Sequence, residues 1–144
     1  MIYGVDLIKK YEGFRSRAYP DPGTGGKPWT IGYGSTTWED GRPVKSGDTI
    51  TKEKAEALLV NWLNKNVRPK LVGLRLKPGQ QAAIESIVYN VGTGFFRSNC
   101  FAGIKEKDWG KVYNNWDWIK GGGKVLPGLI KRRSEELYLF FQEL

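Results

Sequence analysis

Residues 11–34 read Tyr11-Glu12-Gly13-Phe14-Arg15-Ser16-Arg17-Ala18-Tyr19-Pro20-Asp21-Pro22-Gly23-Thr24-Gly25-Gly26-Lys27-Pro28-Trp29-Thr30-Ile31-Gly32-Tyr33-Gly34. The stretch opens where a helical pattern closes. Leu7, Ile8 and Tyr11 recur at i, i+1 and i+4 with Lys9 and Lys10 between them, so residues 5–12 read as a short helix that Gly13 ends. Turn signals then follow at Tyr19-Pro20-Asp21-Pro22-Gly23, Gly25-Gly26, Gly32 and Gly34, and later at Glu39-Asp40-Gly41. They separate short β-prone pieces such as Trp29-Thr30-Ile31. Residues 14–48 therefore predict a small antiparallel sheet of two or three strands.

Beyond Asp48 the pattern is helical. Thr51 is placed to cap a helix from Lys52 with Ala55, Leu58, Leu59 and Trp62 on one face, ending before Pro69. Pro78 opens a second helix carrying Ala83, Ile84, Ile87, Val88 and Val91, with Gly92 as its stop. Ser98 and Asp108 are further cap candidates, the latter ahead of Val112, Trp116 and Ile119. Gly121-Gly122-Gly123 breaks the chain, and a last helix from Pro127 is expected to bury Ile130, Leu137, Phe140 and Phe141. No repeat of 20–50 residues and no linker divides the chain. One domain is expected: a β lobe over about 14–48, a connecting helix over about 51–66, and a helical lobe over about 67–144 packed with helix 5–12.

Composition narrows the chemistry. With 144 residues, 40% hydrophobic and 26% charged, the chain is long enough for one buried core. It has no histidine, which excludes Ser-His-Asp and Cys-His catalysis and histidine-ligated zinc or haem. The single cysteine, Cys100, excludes an internal disulfide and reads as a small buried residue. Acid–base work then falls to carboxylates, tyrosine or lysine. No metal and no organic cofactor is expected. The start, Met1-Ile2-Tyr3-Gly4, shows no signal-peptide pattern, and no apolar run approaches a membrane span.

The 23 basic and 15 acidic residues leave a net charge of +8. Residues 1–48 hold seven basic and six acidic residues, and residues 49–144 hold sixteen and nine. A basic body suits an anionic partner such as a wall polymer, a membrane or nucleic acid, or serves solubility alone. A nucleic-acid interface would place basic residues among exposed aromatics on the sheet, yet the β segment is nearly neutral.

Most of the acids have plain readings. Glu53 and Glu56 lie in the first turns of a helix. Glu135, Glu136 and Glu143 read as solvated helix faces, and Asp48 as a turn or cap residue. Glu12 and Asp21 differ. Glu12 closes a helix, where the macrodipole disfavours negative charge and an acid calls for a cation partner or a retained proton. Asp21 follows with eight residues between, in a turn entering the glycine-rich segment. A hairpin folding back on the helix end is one reading; a capped turn and a surface ion pair are the other.

The run Tyr11-Glu12-Gly13-Phe14-Arg15, then Ala18-Tyr19-Pro20-Asp21, then Trp29-Thr30-Ile31-Gly32-Tyr33-Gly34 resembles the phage-type lysozymes of glycoside hydrolase family 24. Further blocks resemble the family in order: Gly47-Asp48-Thr49-Ile50-Thr51, Gln80-Gln81-Ala82-Ala83, Tyr89-Asn90-Val91-Gly92, and Leu126-Pro127-Gly128-Leu129-Ile130 with Arg132-Arg133. The resemblance implies an α+β lysozyme-like fold. It implies a muramidase cleaving the β-1,4 bond between N-acetylmuramic acid and N-acetylglucosamine of peptidoglycan. Glu12 matches the family's general acid, Asp21 its second carboxyl and Thr30 its threonine. The usual spacing would land on Lys27; Thr30 matches by its setting after a three-residue expansion around Gly25-Gly26.

The chemistry asks for these groups. Glu12, if enclosed, keeps a proton for the leaving oxygen, while Asp21 and the Thr30 hydroxyl position or activate water. The same resemblance makes Arg132 or Arg133 a candidate partner of Glu12, against a solvated basic face. Asn90 is a sugar-contact candidate against a helix C-cap, and Tyr33 and Phe95 are candidate sugar platforms against core rings. Trp62, Trp116 and Trp118 read as core. A lytic transglycosylase, which needs one carboxyl and forms anhydro sugars, is the neighbouring enzyme class. The expected setting is that of a monomeric endolysin with no stable membrane association. It would wait in the host cytoplasm and depend on a separate holin to reach the wall and lyse the cell.

Overall fold

The structure is a computed structural model that describes residues 3–142. Met1, Ile2, Glu143 and Leu144 lie outside the described residues, and with them the solvated face expected at Glu143. The chain forms an α+β fold of two compact units: one is Val5–Lys65, the other runs from Asn66 onward and takes in Gly4.

The first unit takes in most of α1 (Tyr3–Glu12), whose Asp6 lies in the first turn and Lys9 and Lys10 in the last, as the macrodipole favours. Val5, Leu7 and Ile8 are buried. Gly13 ends the helix as its sequence position predicts, at φ +70°, with its N–H donating to the Lys9 carbonyl at 3.1 Å. Strand β1 (Arg15–Tyr19) pairs antiparallel with β2 (Thr30–Gly32), Arg15 opposite Gly32 and Tyr19 opposite Thr30, with a bulge between. The other side of β1 meets residues 48–50: Ala18 N–H donates to Asp48 O and Ile50 N–H to Ser16 O, both at 2.9 Å. Helix α2 (Lys52–Asn66) is capped by Thr51, whose Oγ1 accepts from Lys54 N–H at 3.2 Å. It buries Ala55, Leu58, Leu59 and Leu63. Trp62, expected on that face, is only half-buried, because Leu63 takes the inward position.

Gly32 is where strand and helix meet. Its φ is +66°, and a Cβ there would lie 2.9 Å from the Ala55 Cβ. Gly32→Ala combines a left-handed alanine with a core collision and should cost about 2–4 kcal/mol of unfolding free energy. Urea denaturation measures it. A loss under about 0.5 kcal/mol, typical of a surface change, would show that the contact relaxes freely.

The second unit is mostly helical. After α3 (Arg68–Leu71) comes α4 (Pro78–Val91), with Pro78 in its first turn and Gly92 ending it at φ +96°. Pro69 lies beyond the end of α2, as its sequence position predicts. It sits in the first turn of α3, where a proline is tolerated because no donor is needed from it. A 3₁₀ turn (Thr93–Arg97) leads to α5 (Asn99–Glu106) and α6 (Trp109–Asn114). The hydroxyl of Ser98 and the carboxylate of Asp108 cap these helices by accepting from Phe101 and Lys111 N–H. Gly122 and Gly123, both at positive φ, turn a two-residue hairpin between β3 (Lys120–Gly121) and β4 (Lys124–Val125), where only a chain break was expected. Helix α7 (Pro127–Phe141) packs on α4 and buries Phe140; Ile130, expected inside, is 43% exposed. Among the described residues no helix is long and apolar enough to cross a membrane.

Candidate active site

Glu12, Asp21 and Thr30 all belong to the first unit. Glu12 is the last residue of α1 and is half-buried. Lys9 precedes it by three positions, so the two share one helix surface. The Lys9 ammonium donates to Glu56 at 2.5 Å and lies 5.5 Å from the Tyr33 ring centre. The bond to Glu56 holds that ammonium above its ordinary range. In the sequence Lys9 stands as a polar position between apolar ones, and its three-residue spacing from Glu12 is the signal that marks it.

Asp21 is held by its own turn. Its Oδ2 accepts from Gly23 N–H at 3.0 Å and Thr24 N–H at 3.1 Å. Its backbone N–H donates to Gly26 O at 2.9 Å, and its carbonyl accepts from Gly25 N–H at 2.8 Å. These bonds fix the direction of the carboxylate, and Oδ1 has no protein partner among the described residues. Thr30 opens β2 opposite Tyr19, two residues before Asp21. The hairpin thus gathers Asp21 and Thr30 toward one end of the β1–β2 pair. Glu12 lies off the other end, three residues before Arg15. Lys27 stays in the loop, exposed, its carbonyl accepting from Thr24 Oγ1 at 2.6 Å.

The remaining candidates lie in two settings. Tyr33 is buried in the first unit, with Phe14 at 5.5 Å between ring centres. Phe95 is 1% exposed, ringed by Phe96, Phe101, Trp116 and Trp118. A ring so enclosed is core, and Phe95 offers no face to a sugar. Trp116 is buried with it, and Trp118 is half-buried.

Arg132 and Arg133 are buried in the second unit, so the solvated-face reading of the pair is corrected. The correction extends to Glu136, which is 0% exposed rather than solvated. Its Oε2 accepts from Ser86 Oγ at 2.6 Å and faces Arg132 Nε at 3.5 Å. Its Oε1 accepts from Trp116 Nε1 at 3.1 Å and faces Arg133 Nε at 2.9 Å. Arg132 also donates to the Ser86 hydroxyl and carbonyl, at 3.2 and 3.1 Å. The i+3 and i+4 spacing from two arginines, one turn before buried Phe140, was the missed signal.

Arg133 Nη2 also donates to Asn90 Oδ1 at 2.7 Å. A guanidinium only donates, so this bond fixes the amide with its carbonyl toward Arg133 and its NH₂ free to donate elsewhere. Asn90 is exposed near the end of α4 and does not cap it; the Gly92 N–H closes the helix onto Val88 O at 2.8 Å.

Cys100 is fully buried in α5, its Sγ 3.7 Å from Val112 O. Burial, with the nearby Asp117 charge, pushes its thiol up to about 12. Only the thiolate reacts, so a disulfide reagent at neutral pH should label native protein about a thousandfold more slowly than an unshifted thiol, and urea should restore the rate. Rapid native labelling would contradict the burial. Among the described residues no three His, Cys, Asp or Glu side chains gather as a metal site.

The sequence model of the Phage lysozyme family matches residues 9–136. The endolysin of Bacillus phage B103 is 38% identical over 141 residues, covering 95% of this chain and 52% of that protein. The endolysin of Salmonella phage P22 is 34% identical over 141 residues, covering 95% and 94%. The chain therefore spans about half the length of the Bacillus phage relative and nearly all of the P22 one. Among solved structures, an endolysin from Escherichia coli O157:H7 phage FAHEc1 superposes with a TM-score of 0.82 at 29% identity, covering 100% of this chain and 94% of that one. A P22 lysozyme variant superposes with a TM-score of 0.75 at 33% identity, covering 96% and 95%.

Proposed function

Because this chain belongs to the phage lysozyme family, we propose that it degrades peptidoglycan, hydrolysing the β-1,4 bond between N-acetylmuramic acid and N-acetylglucosamine. The observation that carries the reading is the family match over residues 9–136, which includes the α1 end, the Asp21 turn and the start of β2.

Cleaving a glycosidic bond requires a proton on the leaving oxygen and negative charge near the developing oxocarbenium ion. Glu12 supplies the proton as general acid. Asp21, its Oδ2 occupied by two backbone N–H groups, turns Oδ1 to the water or the cation. The Thr30 hydroxyl, able to donate and accept, holds the same water. Direct attack by that water inverts the anomeric centre, a course that goes with carboxyl groups about 6.5–9.5 Å apart. No cofactor takes part. The enzyme acts as a monomer on the glycan strand, reaches the wall through a lesion made by a separate holin, and lyses the host cell.

Mass spectrometry of the fragments released from purified peptidoglycan tests the reaction. Reducing muropeptides from the wild type are the expected products. Anhydro-muropeptides would place the protein among lytic transglycosylases, and no release at all would end the peptidoglycan reading.

A further inference from the structure

The first unit contains a concavity that the chemistry above does not use. It encloses about 430 Å³ and is lined by Lys27, Pro28 and Trp29 on one side and by Thr36 and residues 43–46 on the other. That volume lies within the range of small-molecule sites. Thr30 does not line it.

Both walls are fixed without a ligand. Thr24 Oγ1 holds the Lys27 carbonyl at 2.6 Å. Opposite, Asp48 Oδ2 accepts from Lys45 N–H at 2.9 Å and Trp38 Nε1 at 3.2 Å, and Val44 N–H reaches Thr36 O at 2.9 Å. Binding there costs little ordering of the walls. Three cations of this unit are held in ion pairs: Lys9 with Glu56, Arg42 with Asp40, and Lys54 with Glu39. The ammonium groups of Lys27 and Lys45 are exposed and have no ion-pair partner among the described residues. A neighbouring hollow of about 410 Å³ beside Arg17 and Trp38 has its Lys54 already committed to Glu39.

We propose that this concavity is a second peptidoglycan-binding site, apart from the Thr30 side of the hairpin. A sugar ring lies against Trp29 and Pro28, and a stem-peptide carboxylate pairs with Lys27 and Lys45. The inference rests on the wall-degrading reading above. An indole face and two unpaired ammonium groups, with the Thr36 and Ser46 hydroxyls beside them, match a ring that carries both C–H faces and a nearby carboxylate.

The test is co-sedimentation with purified sacculi stripped of teichoic acid, at about 0.15 M salt, using Glu12→Gln protein so that the substrate survives. In that background Lys27→Glu with Lys45→Glu should weaken binding about tenfold. Lys70→Glu with Lys124→Glu, an equal charge change in the other unit, should weaken it less than about threefold. Amidating the sacculus carboxyl groups should bring the parent down to the level of the Lys27/Lys45 variant. Equal losses in the two charge pairs, unchanged binding in the Lys27/Lys45 variant, or binding only to walls that retain teichoic acid would each overturn the proposal. Circular dichroism confirms that each variant is folded. Release of reducing ends by the wild type from the same sacculi scores the muramidase reading separately, so either can fail without the other.

Discussion

Glu12→Gln should lower the turnover of purified peptidoglycan by about 10²–10⁴-fold. Glutamine keeps the shape of the side chain and still accepts a hydrogen bond, but it has no acidic proton for the leaving oxygen. The same change should leave the protein folded, because glutamine keeps the length and the hydrogen-bonding oxygen of the side chain at the half-buried end of α1. Glu12 places a negative charge at the C-terminal end of α1, where the helix field opposes it by about 0.3–1 kcal/mol when exposed. Loss of activity without loss of stability distinguishes a working acid from a structural one. Reducing-end release measured beside a thermal melt checks both halves. A variant keeping more than about a tenth of wild-type turnover would remove Glu12 as the acid, and a large fall in Tm would make its role structural.

The second large effect concerns folding. Glu136→Ala should cost about 3–5 kcal/mol of unfolding free energy, because it leaves Arg132 and Arg133 buried without their shared carboxylate. At this chain length that is about 10 °C or more in Tm. Loss of the carboxylate also strands the Ser86 hydroxyl and the Trp116 indole N–H. A cost below about 1 kcal/mol would mean that the arginines find other partners at once.

The pH dependence has a definite sign. Burial pushes the Glu136 carboxyl above its ordinary 4.5, against the pull of Arg133, Ser86, Arg132 and Trp116. A carboxyl raised in the folded state binds its proton more tightly there than in the unfolded chain. Its contribution is therefore full below pH 4.5 and declines as the pH rises from there through the raised value. Glu136→Gln cannot titrate, so the stability of wild type relative to this variant should shrink across that window. Urea unfolding at a series of pH values reads the difference, and a constant offset would contradict the shift.

The parts of the fold legible in the sequence were those set by local chemistry. Gly13 and Gly92 stop helices because they supply positive φ, and Thr51, Ser98 and Asp108 cap because a short side-chain oxygen reaches a free N–H. The turn around Asp21 was visible from its prolines and glycines. What stayed hidden depends on contacts across the chain. Glu136 looks like any helix-face acid until Ser86, fifty positions earlier, and Trp116 close around it. Phe95 reads as either a sugar platform or a core ring until four rings surround it, and Ile130 reads as core although its side of α7 stays open. Lys9 carried a readable spacing from Glu12, but its bond to Glu56 joins helices 47 positions apart.

The division into units bears on how the chain acquires its structure during synthesis. Val5–Lys65 is one unbroken segment, while the unit beginning at Asn66 also takes in Gly4. A ribosome therefore delivers the whole of the first unit, with the Asp21 turn and β2, before most of the second exists. The second unit draws on a residue translated before the first and on others translated after it, so closing it is a non-local event that must wait for α4 and α7. The first unit, which carries the proposed acid, thus reaches its full complement of chain early, and the helical body that holds the buried arginines and Glu136 is completed last.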